Sequence, residues 1–587
     1  MTTQTLEKPN TQTSVTKPMN TGILLHPKNW DFSDLDPKSR ELMKKTIEFF
    51  EKKGRKKLKS EDHASVWYSD FIDFLKNEKV FSVLLTPEEE SISKDQRWDT
   101  YRNTIFSEIL GFYGLSYWYV WQVSILGLGP IWMSKNSDLK KEVAGLLNDG
   151  GVFAFGLSEK EHGADLISSE MKLTPQTDGS YRANGDKYYI GNGNIASYVS
   201  TFGKMSDTGS FVFFAVKSNH PNYKLVQNVV NSQKYVAEFA LKDYPVQDKQ
   251  IILKDREAWD GALATVAFAK FNLGLASVGI CEHSFYESLN HAANRILFNH
   301  PVTDFSHIRF LFTEAYARLV AMRMFCYRTA DYMKVASTDD KRYLLYNPMV
   351  KLKVTMQGEE VINLLWDVIA ARGFEKDMYF EMATRDIRML PKLEGTAHIN
   401  MLLITNFMNN FLFQSKEYPE TPKGNAPSNE TYLFNQGSTT KGQNKILFHD
   451  YNIIYNQFHT PNLAIFKEQI LLLKDFLKET PPSKEQSKDI DFMLGLGELF
   501  AGIVYGKMIL EEAKIVDLET SLLDSIFGFL VKDFSKYAVA LQIRPSASQD
   551  QAISLSKMVR RPNHSQETFE ENWNRVIGLK DIFKMNE

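Results

Sequence analysis

Cysteine is nearly absent: Cys281 and Cys326 are the two in 587 residues, each in apolar, helix-like surroundings. No disulfide framework can be built from them, and a reduced, cytoplasmic compartment is the expectation. An excess of either charge is also missing, with 69 Lys plus Arg against 72 Asp plus Glu. So balanced a chain lacks the cationic bias that a nucleic-acid partner would need. Residues 1–20 are rich in Thr, Gln, Asn, Ser and Pro, with no Arg and no apolar core. This argues against a signal or transit peptide and predicts a disordered or extended tail through residue 37. No internal repeat is found. One stretch, 111–134, carries no charge, but Gly111, Gly114, Gly127, Gly129 and Pro130 interrupt it. A buried helix followed by a Gly-Pro turn is expected there, not a membrane span.

Apolar material is plentiful, at 43% hydrophobic and 13% aromatic. The length corresponds to roughly four domains at about 150 residues each. Residues 38–150 read as helices; RELMKKTIEFFEKKG, for example, places Leu42, Ile47, Phe49 and Phe50 at helical spacing before a Gly54 stop. From 151 to 258 the pattern changes to short aromatic and β-branched runs such as FVFFAVKS, separated by Asp-Gly and Asn-Gly turn signals, which predicts a middle β-domain. Helical periods return over 259–414. Residues 415–451 are a polar, Pro/Gly/Asn-rich linker or surface excursion, and 452–587 form an extra helical region. The expected fold class is α+β.

Three segments carry the chemistry. The first is Phe153-Ala-Phe-Gly-Leu-Ser158-Glu159-Lys-Glu-His-Gly163-Ala-Asp165, followed by Asn184-Gly185-Asp-Lys187-Tyr-Tyr189-Ile-Gly-Asn192-Gly193. The second is Asn294-Arg295-Ile-Leu-Phe298, and the third Arg385-Asp386 with Leu393-Glu394-Gly395-Thr396. Each alone has a plain structural reading: aromatic strands are usually core, an Arg on a helix is usually a surface charge, and a Glu at a loop–helix junction is usually a cap. In this order and spacing, over about residues 38–414, they resemble the acyl-CoA dehydrogenase family.

The resemblance implies an N-terminal helical domain, a middle β-domain, a C-terminal helical bundle and one FAD per subunit, here with the extra C-terminal helical region. A flavin needs apolar walls and a few hydrogen-bonding groups at its polar edge. By the family's pattern these positions are Phe155, Leu157, Ser158, Tyr189, Gly191, Arg295, Phe298, Gly373 and Thr396. Arg295, a planar fork of donors, would reach the diphosphate of the neighbouring subunit's FAD, which implies a homodimer or homotetramer. Glu394 takes the place of the catalytic base, since proton removal α to a thioester needs a carboxylate in a desolvating pocket. The alternative position for that base is Ala269, before Lys270, and alanine cannot serve. Trp118, Tyr119, Ala164, Lys270, Leu393 and Gly395 are the candidate substrate contacts. The sequence departs from the family at Tyr189 (usually Trp), Gly191 (Thr), Ala164 (Ser), Ser306 (Gln), Leu393 (Tyr) and Ala370-Ala371-Arg372-Gly373 (Gly-Gly-x-Gly).

What the resemblance implies is α,β-dehydrogenation of an acyl-CoA, or of an acyl group on a carrier protein, with electrons leaving to an electron-transfer flavoprotein, or to oxygen in an oxidase. A DNA-binding branch of the same superfamily would need a basic C-terminal region, but residues 451–587 have 16 Lys plus Arg against 19 Asp plus Glu. A membrane-associated long-chain enzyme would need a basic amphipathic helix; the apolar stretch 521–542 is expected to dock on the protein's own core. The turn Trp118-Tyr119-Val120-Trp121-Gln122 would close the acyl cavity and favour a short, branched or small cyclic acyl group, unless Trp118 and Trp121 face the N-terminal core.

Overall fold

The computed structural model describes residues 23–231 and 236–587. The tail expected at 1–20 lies outside the described residues. Residues 23–36, expected to continue it, are instead packed: Leu24, Leu25, Phe32 and Leu35 are buried, and the Leu25 amide donates to Glu282 Oε1 at 2.9 Å. This short apolar cluster anchors the segment despite the polar composition before it.

The N-terminal layer is helical, from Pro37–Lys53 to Ser137–Asn148. Asp36 caps the first helix by accepting from the Ser39 amide, Pro37 begins it, and Gly54 at φ 74 ends it. The uncharged stretch forms the end of one buried helix, Thr100–Tyr113, and the whole of the next, Leu115–Met133. The second helix does not stop at the expected Gly-Pro turn; it runs through Pro130 to Met133. The glycines serve close packing instead. A Cβ on Gly127 would lie 2.6 Å from the Ala154 backbone, and one on Gly129 would lie 2.6 Å from Thr265 Cγ2.

The middle domain holds β1 (Phe153–Gly156), β2 (Lys172–Pro175), β3 (Tyr181–Gly191), β4 (Tyr198–Met205), β5 (Phe211–Val216), β6 (Tyr223–Asn228), β7 (Val236–Val246) and β8 (Ile251–Lys254). Their order is β6-β7-β3-β2-β4-β5-β8, with β1 parallel to β4 so that Phe155 faces Ser200. Two register shifts interrupt β3 against β7, one between Lys187 and Ile190. A bulge there re-aims the side chains around Tyr189.

Helices return at Asp255–Ala269, Phe271–Asn294 and Ser306–Lys334, followed by Tyr343–Met349, a π-helical turn Val350–Val354, and Thr355–Ile369. Among the described residues, the runs Asp255–Asn294 and Ile490–Val516 are long and apolar enough to cross a membrane, yet most of each is buried inside the protein. The last region packs Ile490–Val516 and Thr520–Gln542 onto Ser306–Lys334. Buried charges stitch this seam. Arg318 donates to Asp533 at 2.9 and 3.0 Å and to Gln357 at 2.7 Å, while Arg328 donates to Glu511 at 2.8 Å. The 521–542 stretch therefore does dock on the protein's own core. The 415–451 segment is no free linker: Leu433, Phe434 and Phe448 are buried, and Glu430 accepts from the Thr100 amide at 2.7 Å.

The final residues return to the N-terminal layer. Phe583 is buried edge-on to Phe112 at 4.9 Å, and the Arg55 amide donates to the Asn586 carbonyl at 2.7 Å. Phe583→Ala should therefore cost about 3–5 kcal/mol, as a buried Phe truncation does. Urea unfolding followed by near-UV circular dichroism measures it, and a loss below about 1 kcal/mol would mean the tail does not dock.

Candidate active site

Glu394 lies on a tight turn between two helices. It has φ 52 and Gly395 has φ 82, so two successive left-handed residues reverse the chain. Glycine adopts this conformation freely, whereas for Glu it is uncommon. Local bonds hold the turn: Leu393 N donates to Met389 O at 3.2 Å, Ala397 N to Pro391 O at 3.0 Å, and Asn400 Nδ2 to Thr396 O at 3.0 Å. Thr396 caps the Ala397–Thr405 helix, accepting from Ile399 N at 3.4 Å. From outside the turn, Lys351 Nζ donates to Leu390 O at 2.9 Å.

The carboxylate points inward to the Leu115–Met133 helix. Gln122 Nε2 donates to Glu394 Oε1 at 2.6 Å and to the Ala269 carbonyl at 3.2 Å. Glu394 Oε2 and Gln122 Oε1 are both buried with no hydrogen-bond partner among the described residues. Burial pushes the Glu394 carboxyl up to about 7, against the opposing influence of the Gln122 hydrogen bond and the charges of Lys270 and Lys351. Those amines are depressed by burial, Lys270 to about 8 and Lys351 to about 7, with Glu394 partly offsetting the loss. Lys270 is 7% exposed, between Asp255–Ala269 and Phe271–Asn294.

Helical geometry divides the Trp118–Gln122 turn. Tyr119, Gln122 and Val123 share one face, and a Cβ on Gly191 of β3 would lie 2.7 Å from Tyr119 Cε1 and 2.6 Å from Val123 Cγ1. Trp118 points the other way, with Nε1 donating to Ser107 Oγ at 2.8 Å, and Trp121 packs on Phe81 and Phe106. The expectation that Trp118 contacts substrate is thus corrected: Trp118 and Trp121 are core residues, and Tyr119 and Gln122 face Glu394.

In the middle domain, a buried ion pair shapes the exit of β1. Lys187 Nζ lies 2.7 Å from Glu159 Oε1 and donates to the Leu157 carbonyl at 3.0 Å, while Tyr188 N donates to Ser158 O at 3.0 Å. Leu157 and Ser158 are thereby held, half-buried, beside β3; Phe155 stacks on Phe213 at 5.8 Å. Tyr189 has φ 62 and is 60% exposed. Ala164 is exposed on the loop after β1.

A second concavity, of about 780 Å³, is lined by Arg55, His291, Arg295, Ala370, Arg372 and Lys584 among others. Arg295 is exposed and its guanidinium makes no hydrogen bond or ion pair among the described residues. Phe298, on the hairpin after it, is 87% exposed. Gly373 is buried, and a Cβ there would lie 3.0 Å from Trp366 Nε1. Ala370 has φ 54 and ψ −139, a glycine conformation carried by an alanine.

The profile "Acyl-CoA dehydrogenase, C-terminal domain" matches residues 259–408, which include Lys270, Arg295, Lys351 and Glu394. The chain is 23% identical over 293 residues to an acyl-CoA dehydrogenase of Bacillus subtilis, covering 48% of this chain and 75% of that one. To the short-chain specific acyl-CoA dehydrogenase of Megasphaera elsdenii it is 20% identical over 372 residues, 62% and 96% of the two chains. Over residues 259–408 the chain is thus similar to the C-terminal domain of the acyl-CoA dehydrogenase family. Its fold extends the likeness over nearly the whole chain. An acyl-CoA dehydrogenase of Bacillus anthracis, solved with FAD, superposes with a TM-score of 0.72 at 16% identity, covering 95% of this chain and 97% of that one.

Two side chains of this candidate site escaped the sequence reading as site residues. Gln122 was visible only as one residue of a helical turn whose phase was open. Lys351 had no motif at all. For Ala370, the strain of an alanine in a glycine conformation, about 1–3 kcal/mol, exceeds the unfolded-state cost of a glycine, about 0.4–1 kcal/mol. Ala370→Gly should therefore stabilise the protein by about 1 kcal/mol in urea unfolding. A destabilised variant would show the conformation to be wrong.

Proposed function

We propose that this protein is an FAD-dependent oxidoreductase acting on the Cα–Cβ bond of an acyl thioester, acyl-CoA or an acyl group on a carrier protein, with Glu394 as the base for the α-proton. The observation that carries the reading is the Glu394 carboxylate itself: buried, one oxygen bonded to Gln122 and the other without a partner, its proton affinity raised toward neutrality. A base poised near the operating pH is what proton abstraction requires.

The residues present fit a flavin dinucleotide. Exposed Tyr189 offers an aromatic face, Leu157 and Ser158 offer backbone groups and a hydroxyl, and Thr396 a hydroxyl beside the base. The Arg295 guanidinium, unpaired among the described residues, suits a diphosphate, as does the cleft it shares with Arg372. FAD, when bound, supplies the hydride acceptor for Cβ.

The chain's own groups do the rest. Glu394 takes the α-proton on its carboxylate, and Gln122 fixes the direction of that carboxylate through Oε1. The Glu394 amide makes no hydrogen bond to backbone among the described turns and loops, so it is free to polarise the thioester carbonyl. Tyr119 and Gln122 close the acyl space from the helix side, which supports a short, branched or small cyclic acyl group. An electron-transfer flavoprotein as acceptor, a homodimer or homotetramer, and a cytoplasmic location complete the proposal.

Glu394→Gln should keep fold and flavin but slow anaerobic bleaching of the flavin by substrate about 10²–10⁴-fold. Because the carboxyl is raised to about 7, the wild-type kcat/KM should fall as pH drops through that value and level off above it. A rate independent of pH between about 5 and 8 would place the base elsewhere. Among C4, C8 and C16 thioesters on one carrier, C4 should be preferred over C16 by roughly 5–150-fold, since forcing a chain past packed side chains costs about 1–3 kcal/mol. Tyr119→Ala should narrow that gap and Trp118→Ala should not; a maximum at C16 would refute the closed cavity.

A further inference from the structure

The Glu394 turn has one anchor that comes from neither its own loop nor the acyl side. Lys351 lies on the π-helical turn Val350–Val354, entered two residues after Pro348, which has no N–H to give the helix ladder. Turns of this kind recur at functional sites because they redirect side chains. Val350 packs so tightly on the Phe271–Asn294 helix that a Cβ on Gly274 would lie 2.4 Å from Val350 Cγ1, which fixes the turn in place. Lys353 is carried to the C-terminal region, 5.0 Å over the Tyr537 ring, whereas Lys351 is carried to the Glu394 turn. Its side chain is fully buried and its ammonium makes a single hydrogen bond, to Leu390 O.

Burying an ammonium with one acceptor is costly unless an anion lies near. Gln122 and Tyr119 face Glu394 from the Leu115–Met133 helix, and neither carries a charge at neutral pH. The charged neighbours are Lys270, at the junction of two helices, and Lys351; Lys392 and Glu359 lie farther out, acting on Lys351. The carboxylate therefore has two buried amines about it, both depressed by burial, and among the described residues only Lys351 is also bonded to its loop.

We propose that Lys351 is a positioning residue for the reaction: it ties the Glu394 turn to the π-helical turn through Leu390 O and keeps the Glu394 carboxylate ionised while substrate excludes water. The inference rests on Glu394 being the base. It concerns no atom of the substrate, and Lys351 touches none of the reacting groups.

The test uses the FAD-loaded wild type with Lys351→Met, Lys351→Arg and Glu394→Gln, following anaerobic flavin bleaching by butyryl-CoA across about pH 6 to 9. Lys351→Met should lose about fivefold near pH 7, recover most of it near pH 9 and leave KM little changed, because losing a nearby positive charge moves the base's ionisation upward by about one pH unit. Lys351→Arg, which keeps the charge, should retain the wild-type profile. As a readout free of turnover, the Glu394 carboxyl stretch, isolated by infrared difference against Glu394→Gln, should titrate higher in Lys351→Met. A Lys351→Met profile superimposable on wild type would overturn the proposal. So would a uniform loss at every pH accompanied by lower Tm and flavin content, the mark of a purely structural lysine. If instead Glu394→Gln bleaches at the wild-type rate, the base assignment itself fails, independently of Lys351.

Discussion

Desolvation of one carboxylate is the constraint on which the site depends. A Glu side chain out of water holds its proton too tightly to act as a base unless something offsets the burial. Here the offsets come from three parts of the chain: Gln122 from the N-terminal layer, Lys270 from a helix junction of the C-terminal bundle, and Lys351 from a π-helical turn. Their balance leaves the carboxyl raised only to about 7. No single domain could supply that balance, which is why the site lies where the layers meet.

The same economy appears in the backbone. Glu394 is held in a left-handed conformation, and Ala370 in one that only glycine adopts easily. Such strain persists where the surroundings over-determine it. Around Glu394 they do so with bonds from Met389, Pro391 and Leu390 carbonyls. At Ala370 the adjoining Gly373 lets Trp366, Ile369 and Phe380 close in. A strained turn at Glu394 aims the carboxylate; a strained turn at Ala370 shapes the wall of the Arg295 cleft.

The extra C-terminal region works as a brace. Its helices press on Ser306–Lys334 through Arg318–Asp533 and Arg328–Glu511, both largely buried. Buried pairs of this kind favour a particular docking geometry more than they add net stability. The last residues then close back on Phe112 and Arg55, joining first helical layer and last. The 415–451 strap adds a third tie through Glu430 and Thr100.

Local pattern alone was enough for the helix–strand–helix order, the Gly54 stop and the docking of 521–542, because periodicity and turn chemistry are properties of neighbouring residues. The motif around Glu394 and Arg295 was legible for the same reason: its residues lie in short runs. What the tertiary structure decided is phase and convergence. Helical spacing placed Trp118 and Tyr119 on different faces but not which face met the base; packing on Ser107 and Gly191 settled it. The docking of 23–36 and 415–451 was hidden by their polar setting, since a few apolar anchors suffice once a groove exists to receive them. Lys351 lay 43 residues before Glu394 with no signature, because a lysine in an apolar helix reads like any other. Only the fold brings its amine to Leu390, since a buried charge takes its meaning from the groups that surround it in space.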